Sequence, residues 1–490
     1  MAIIPCNQLS LADVFTDCQD IYDYDKPEFL SLLQSNIDLD EIIPDSFRNH
    51  FYASTGRSRK YPLHAFLWAL ILQRVLSVPT DSLLLVFLKY SRHLREFCGF
   101  NKVPDASKIT RFKQDFLSDL QLVFDNLVDV TEPICQVIDS AKADMTIFDS
   151  SGIEAWVTEN NPKYANKIIK QLKSYAKAHN YNSNYDPYKA AYGSMPSHAS
   201  ANTQIKQLYV DGHFCYAYKI GIVTNGLGIV RHLDLYNKDF LTAHPELIPN
   251  KKSDSPDEDK SIHDARLLIP TLQDFFKAHP LINPKTFLGD SAFDSVAVYQ
   301  SLLSGNTFHE QHFSKAYIPL NSRSHLENKD YSINNFGIPC CPKDASLPMK
   351  PEGKAKLHSG VERYKFVCPK MTFDKCSDGK YRRFCHCKNP CTSSRCGRMV
   401  YLYPEKNLRA YPGTLRGTTE WDSTYKTRTT VERSIHHFKD SFGLANRKTQ
   451  NEKTLHADLI LAGITQLISV FLADKIHQHQ FIRSLKPLIA

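Results

Sequence analysis

The chain has 490 residues, too many for one ordinary hydrophobic core, so roughly two to four domains are expected. Its 42% hydrophobic and 23% charged residues are typical of a soluble globular protein, and the net charge of +8 is compatible with a polyanionic partner without being diagnostic of one. The first residues lack the basic and apolar regions of a secretory signal. The longest apolar run, 455–473, contains His456 and Asp458, which argues against a membrane span and predicts a buried helix.

The chain contains thirteen cysteines, and without a secretory signal they predict reduced thiols in a cytoplasmic setting. Five of the thirteen are scattered, and we interpret them as structural. The others crowd one segment: Cys340, Cys341, Cys368, Cys376, Cys385, Cys387, Cys391 and Cys396.

The first part of the chain, to about residue 135, is predicted to be mostly helical. The run 62–73 is apolar nearly all round, which is typical of the central helix of a small bundle. A second helix is predicted after Pro79. A third begins near Pro104 and carries Lys108, Arg111 and Lys113 close to one side. These helices are compatible with a bundle that serves only as a scaffold.

Two short apolar runs then end on an acid. Met145 to Asp149 predicts a strand with Asp149 at its end, and Thr286 to Asp290 repeats the pattern. Between them, Asn225 and Gly226 separate two β-rich runs, which is the strongest short signal for a hairpin. Further elements are predicted as helices at 263–278 and 296–303 and as an edge strand at 315–320, because Pro319 has no amide hydrogen to donate.

Lysines recur at every third or fourth position after residue 162. They are Lys163, Lys167, Lys170, Lys173 and Lys177. On a helix such a stripe would follow a phosphate backbone, with interleaved tyrosines available for stacking. A solvated surface helix explains the same pattern.

Near the C-terminus, Tyr425, Arg428, Glu432 and Lys439 form a spaced set of polar residues. On a helix with about 100° per residue, Arg428, Glu432 and Lys439 fall near one face. A guanidinium, a carboxylate and an ammonium presented together suit phosphate and a divalent metal. The alternative is a solvated helix, in which the Arg428/Glu432 pair adds only a few tenths of a kcal/mol.

The same spacing matches the YREK signature, so the chain resembles the DDE transposases of bacterial insertion sequences. The resemblance implies an α/β fold with an RNase H-like catalytic core, an N-terminal all-α domain, and a cysteine-rich insertion before the last catalytic helix. The predicted order of strand, hairpin, helix, strand, helix, strand and final helix agrees with such a core. Four segments are predicted: a DNA-end-binding domain at 1–135, the first part of the core at 140–325, the insertion at 326–415, and the last part of the core at 416–490.

The resemblance also implies roles for individual residues. Asp149, Asp290 and Glu432 would be the catalytic metal ligands, and Tyr425, Arg428 and Lys439 would contact the terminal phosphates of the bound element end. Two other acids compete for the aspartate roles. Asp144 precedes its predicted strand and Asp294 is a candidate helix cap, so each has another explanation.

Three converging carboxylates would repel one another, and divalent cations resolve that conflict. Hard oxygen ligands suit two Mg²⁺ ions, or Mn²⁺ as a substitute. Two such ions activate a water or a DNA 3′-hydroxyl and stabilise the leaving oxygen during in-line attack on a phosphodiester. This chemistry both cleaves a DNA strand and transfers it.

The cysteine-rich insertion predicts one or two structural Zn²⁺ ions, because a domain with a small apolar core gains stability from metal. The candidate ligands are Cys368, Cys376, Cys385, Cys387, Cys391 and Cys396, whose spacings match no standard pair of knuckles. Free or oxidised thiols in a loop-rich insertion are the alternative.

Together with these residues, the resemblance therefore implies a cytoplasmic, nucleoid-associated DDE transposase that cleaves insertion-sequence ends and transfers strands to target DNA. Its partners would be double-stranded DNA, as terminal inverted repeats and target, and a second copy in a synaptic homodimer, with no membrane. Two alternatives stay open. One is a domesticated or inactive copy that only binds DNA, and the other is an RNase H-like nuclease without strand transfer.

Overall fold

The computed structural model describes residues 27–53, 55, 57–180, 185–247, 262–321, 330–356, 362–403, 408–446 and 449–489. The helices are α1 Glu28–Asn36, α2 Leu39–Ile42, α3 Asp45–Phe51, α4 Leu63–Val75, α5 Asp81–Tyr90, α6 Arg92–Cys98, α7 Ala106–Asp115, α8 Leu117–Ala143, α9 Pro162–Ala178, α10 Pro187–Ser194, α11 Lys238–Ala243, α12 Asp264–Ala278, α13 Val296–Leu303, α14 Thr419–Tyr425, α15 Thr429–His436 and α16 Glu452–Lys475. The strands are β1 Met145–Glu154, β2 Lys206–Val210, β3 His213–Thr224, β4 Val230–Leu235, β5 Thr286–Leu288, β6 Lys315–Tyr317, β7 Cys340–Cys341, β8 Asp344–Pro348, β9 Lys350–Lys356, β10 Glu362–Val367, β11 Met371–Lys375, β12 Tyr381–Cys385 and β13 Met399–Leu402. The predicted α/β class is confirmed.

The chain forms two compact units. The first, the helical unit, combines residues 1–134 with 437–490, and the second, the sheet unit, holds residues 135–436. The segment 416–490, predicted as the last part of the core, is therefore divided between the units after His436.

Two apolar helices lie inside the helical unit. Helix α4 is buried along almost its whole length, as expected for the predicted central helix. Helix α16 is long and apolar enough to cross a membrane by length and composition, but 89% of its apolar window is buried within the protein. Such burial is typical of the core helix of a folded domain, and the buried helix predicted here is confirmed.

A buried network of charges joins α4, α7 and α16 within the helical unit. The Asp458 Oδ1 atom lies 2.7 Å from Arg74 Nη2 and 2.8 Å from Lys113 Nζ. Lys113 Nζ also lies 2.7 Å from Asp81 Oδ2. The side chains of Arg74 and Lys113 are completely buried. The prediction that Lys108, Arg111 and Lys113 form one basic side was therefore wrong. Lys108 and Arg111 are exposed, whereas Lys113 is buried.

The main sheet of the sheet unit runs in the order β2-β3-β1-β5-β6, with β4 paired to β3. Strand β1 is antiparallel to β3 and parallel to β5, and β5 is parallel to β6. Strands are confirmed at both predicted places, but Asp149 lies in the middle of β1, which continues to Glu154, and Asp290 lies two residues beyond the end of β5. Strand β6 lies at the end of the order, as predicted for an edge strand.

The predicted Asn225-Gly226 hairpin is also confirmed, as the β3–β4 connection. The Asn225 side chain accepts hydrogen bonds from the amides of Leu227 and Ile229, both at 3.1 Å. A side chain at Gly226 would meet the Lys142 carbonyl oxygen at 2.8 Å, so glycine permits a close approach to the end of α8.

Small antiparallel sheets occupy the cysteine-rich segment. Strands β9, β10 and β13 form one sheet, while β7–β8 and β11–β12 form two-stranded ribbons. Met349, Tyr364, Phe366, Val400 and Leu402 belong to a buried cluster in this segment. Two-stranded ribbons are only marginally stable alone, so this segment depends on other interactions.

Candidate active site

Alternation along the strands places two of the predicted acids on one face of the main sheet. Ile147 in β1 pairs with Leu288 in β5. Asp149 and Asp290 each lie two residues after these partners, and side chains two positions apart point to the same side. Ile147 and Leu288 are buried together with Val431 of α15, so α15 covers the same face.

The signature segment is not one regular helix. It consists of α14, a 3₁₀ turn at Lys426–Arg428, α15, and a π-helical turn at His437–Ser441. Val431 packs into the cluster beneath the site, and the Ser434 hydroxyl donates to the Gly228 carbonyl at 2.8 Å. These contacts fix the rotation of α15, which presents Glu432.

The Arg428 guanidinium lies among the three predicted catalytic acids. Its Nη2 atom is 3.4 Å from Asp149 Oδ2 and 3.6 Å from Asp290 Oδ2. Its Nη1 atom is 2.5 Å from Glu432 Oε1. The side chains of Asp290 and Glu432 are 49% and 51% exposed, whereas that of Asp149 is 24% exposed. The three carboxylates therefore surround one cation in a site that opens to solvent.

Asp149 is the least exposed of the three acids. Burial raises its pKa to about 6, and Glu432 and Asp264 add to that effect, although Arg428 and the Ser150 amide oppose it. Burial also disfavours the Arg428 cation, but the surrounding carboxylates outweigh that effect and raise its pKa. At Asp149, the effect of Arg428 is therefore smaller than the effect of burial.

The carboxylates of the triad are not all held at the spacing of a single compact ion site. Among the described residues, Glu154, His213 and Cys215 are the group of three whose ligand atoms lie within 4.8 Å of one another. The acids of the triad instead border the Arg428 guanidinium, which separates them.

The structure gives Tyr425 and Lys439 different surroundings. The Tyr425 ring stacks on Trp421, with centroids 4.6 Å apart and an interplanar angle of 19°. Trp421 is itself buried near the start of α14. Lys439 is buried in the π-helical turn and belongs to the helical unit.

The competing acids make other contacts. Asp294 is buried, and its Oδ2 accepts from Arg409 Nη2 at 2.7 Å and from the Asn321 amide at 2.8 Å. Asp144 Oδ1 accepts from the Lys285 amide at 3.2 Å. These contacts explain the positions of Asp294 and Asp144 without a metal. Asp290, by contrast, faces Arg428 in the candidate site.

A fourth acid near Asp149 was not predicted from the sequence. Asp264, the first residue of α12, accepts from the Ser150 hydroxyl at 2.5 Å and lies 2.5 Å from Lys219 Nζ. Burial opposes ionisation of Asp264, but Lys219 and Ser150 outweigh it and lower its pKa. The predicted start of a helix at 263 was the available signal, but nothing in the sequence indicated that this end faces β1.

The six predicted zinc ligands separate into different groups. Cys368 and Cys385 are in contact, with their Sγ atoms 3.6 Å apart. Cys391 forms a hydrogen bond with Cys341, which was not among the predicted ligands. The remaining three lie elsewhere in loops or turns: Cys376 follows β11, Cys387 Sγ lies 3.4 Å from the Asn389 carbonyl oxygen, and Cys396 lies in the loop before β13.

Residues 19–115 match a family model described as a transposase domain (DUF772). A search of curated proteins finds no match to the chain. The family match covers the N-terminal helices of the helical unit. It supports a transposase, an enzyme that binds and processes DNA.

Proposed function

We propose that this chain is a DDE transposase that cleaves DNA at the ends of its own insertion sequence and joins the freed 3′ ends to target DNA. The observation that carries the proposal is the convergence of Asp149, Asp290 and Glu432 on the Arg428 guanidinium. The transposase-domain match in residues 19–115 supports the same conclusion from a separate part of the chain.

The topology of the sheet supports an RNase H-like catalytic core. A central β1 lies between an antiparallel hairpin strand and two parallel strands, and a late helix covers the acidic face. In this arrangement each acid comes from a different element: Asp149 from β1, Asp290 from the turn after β5, and Glu432 from α15. A sheet with this connection order brings these distant residues together without a contiguous motif.

The donor set fits Mg²⁺ or Mn²⁺, because all three side chains offer hard carboxylate oxygens around one site. Asp149, Asp290 and Glu432 would hold two ions, which when bound activate the attacking hydroxyl and stabilise the leaving oxygen. Lys219 and Ser150 hold Asp264 beside Asp149 and thereby fix the end of α12 against β1.

Arg428 would balance the carboxylates in the absence of DNA. Its planar guanidinium has five N–H donors, so it also suits bidentate binding of a phosphate. Tyr425 beside it offers an aromatic ring that is already stacked on Trp421. We assign terminal-phosphate contacts to Tyr425, Arg428 and Lys439 on the strength of the signature spacing.

The proposal is tested with labelled DNA that carries the terminal inverted repeat flanking the gene. With Mg²⁺, the purified protein is expected to nick the repeat end and to produce a longer labelled product in which that end is joined to target DNA. Omission of the metal should abolish both products. Cleavage without joining would favour the RNase H-like nuclease, and binding without cleavage would favour the DNA-binding relic.

The lysine stripe of α9 is expected to contact the DNA backbone. The five lysines of this helix are all exposed, and the helix contains no acidic residue. The Lys167→Glu/Lys170→Glu double variant should therefore bind DNA of any sequence at least about tenfold more weakly. The slope of log K against the logarithm of the salt concentration should also decrease in magnitude by about two.

Fluorescence anisotropy over a series of salt concentrations measures both quantities. The matched control is Lys238→Glu/Lys277→Glu, which changes the charge of the sheet unit equally at two other exposed lysines. If both double variants lose the same affinity, the effect comes from net charge and α9 is not a specific contact.

A further inference from the structure

Four cysteine thiols from separate segments meet in two pairs beside the small sheets. Cys368 follows β10 and Cys385 ends β12, and their Sγ atoms lie 3.6 Å apart. Cys341 in β7 forms a hydrogen bond with Cys391, which lies in the loop after β12. Cys391 follows Cys385 by six residues in the loop after β12, so the two pairs share one segment of the chain.

The backbone holds each pair from more than one side. The Cys385 amide donates to the Arg395 carbonyl at 2.8 Å, and the Cys368 amide donates to the Arg398 carbonyl at 3.0 Å. Lys343 Nζ, at the β7–β8 turn, donates to the Asn389 side chain at 2.6 Å and to the Pro390 carbonyl at 2.9 Å. The last contact fixes the residue before Cys391 against the ribbon that carries Cys341.

Gly397 shows how closely the chain approaches the first pair. It has φ of +74°, and a Cβ atom there would lie 3.0 Å from the Cβ atoms of both Cys368 and Cys385. Only glycine adopts this backbone readily and leaves that space free. The loop that follows Cys391 is thereby closed over the thiols.

The distance between the sulfurs distinguishes the possible chemistries. A disulfide has an S–S bond of about 2.05 Å, far shorter than the observed 3.6 Å. Tetrahedral zinc with Zn–S bonds of about 2.3 Å places neighbouring sulfurs about 3.8 Å apart, which is close to the observed separation. The geometry of this pair is that of two neighbouring zinc ligands.

The surroundings of Cys368 also suit a thiolate bound to metal. The Lys370 amide donates to its sulfur, which is the kind of outer contact that supports a metal ligand. The Cys368 side chain is buried, and metal binding would replace its thiol proton.

A shared metal ion would stabilise this part of the chain, which has few apolar contacts. Among the described residues, the apolar cluster beside these thiols consists of Val367, Cys368 and Met371, with Cys385 and Met399 partly buried against it. The β7–β8 and β11–β12 ribbons each have two strands and would be marginal alone. An ion shared by residues of both ribbons would stabilise them together.

We propose that Cys341, Cys368, Cys385 and Cys391 bind a single structural Zn²⁺. In the described part of the chain no three of these sulfurs lie mutually within 4.8 Å, so metal binding draws the two pairs together. The assignment replaces Cys376, Cys387 and Cys396 of the predicted set with Cys341, which is distant from the others in sequence. It does not depend on the proposed catalytic activity.

The test uses the full chain purified under reducing conditions without chelator. Metal analysis should find about one zinc per chain, as expected for four thiolate ligands. Brief alkylation before and after removal of metal by a strong chelator, followed by peptide mass spectrometry, identifies the ligands without any substitution. The four proposed cysteines should become reactive only after chelation, whereas Cys376, Cys387 and Cys396 should react equally in both states.

Serine variants give a second measurement. Cys341→Ser and Cys391→Ser are expected to lose the zinc, and the matched controls Cys376→Ser and Cys396→Ser to retain it. Because ligand variants can misfold, metal-free wild type is also titrated with Co²⁺, which should give the thiolate-to-cobalt charge-transfer band of a tetrathiolate site. His213→Ala tests the separate Glu154, His213 and Cys215 group.

Three outcomes would overturn the proposal. They are wild-type protein without zinc or cobalt bands, zinc that is lost from His213→Ala but kept in Cys341→Ser, and chelation-dependent reactivity at Cys387 or Cys396 instead of Cys341. Each of these results leaves the DNA cleavage assay unaffected as a test of function.

Discussion

Glu432→Gln is expected to abolish both DNA cleavage and strand transfer while leaving DNA binding intact. The substitution keeps the size of the side chain and its hydrogen-bonding contact with Arg428, but it removes one of three negative charges that would hold metal. Loss of a charged metal ligand costs several kcal/mol of transition-state stabilisation, so activity should fall by at least about 10³-fold. Single-turnover cleavage of labelled repeat DNA with Mg²⁺ measures the rate, and anisotropy measures binding.

Glu420→Gln is the matched control for Glu432. Glu420 lies on α14 in the same unit, and its contact with Lys315 Nζ at 2.9 Å is on the surface. Its replacement should leave cleavage within a few-fold of wild type. Equal activity of wild type and Glu432→Gln would remove Glu432 from the metal site, and the assigned triad would then be wrong.

Asp458→Asn is expected to destabilise the helical unit by roughly 3 to 5 kcal/mol. The substitution removes the carboxylate charge that both Arg74 Nη2 and Lys113 Nζ contact, and both cations are fully removed from water. Lys113 keeps its contact with Asp81. Amide hydrogen exchange of α4, α7 and α16, followed by mass spectrometry, reports this unit separately from the sheet unit. Exchange from their most protected amides should accelerate by roughly 10²- to 10⁴-fold, since 1.36 kcal/mol corresponds to a factor of ten.

Asp115→Asn removes a negative charge from α7 at an exposed position close to Lys113 in sequence. The free energy of opening derived from the exchange rates should change by less than about 0.5 kcal/mol, as is usual for surface substitutions. If Asp458→Asn matches this control, the buried charges do not stabilise the unit, and the network does not hold α16 to α4 and α7.

The position of Arg428 links the proposed metal binding by the three acids to the proposed phosphate contact of Arg428. A signature arginine would be expected to point toward DNA, yet here it contacts all three acids. Carboxylates that face one another are stabilised by a cation between them, and either the Arg428 guanidinium or a bound metal would supply that charge. Metal binding and release of Arg428 toward a phosphate are therefore linked events in the proposed mechanism.

The sequence by itself determined the local elements of the sheet unit. Short apolar runs ending on Asp149 and Asp290 predicted β1 and β5, and Asn225-Gly226 predicted the β3–β4 hairpin. The signature spacing also singled out Glu432 and Arg428, because residues four apart on a helix are neighbours. These features depend on contacts within a few residues, and such contacts can be read from the order of the side chains.

Only the tertiary structure decided which distant residues meet. It buried Lys113 against Asp458, brought Asp264 to Asp149, and paired Cys391 with Cys341 in place of the cysteines nearer in sequence. It also ended α15 at His436 in a π-helical turn, so Lys439 belongs to the other unit. The physical reason is that burial and charge pairing depend on which elements pack together, and periodicity within one element carries no information about its neighbours.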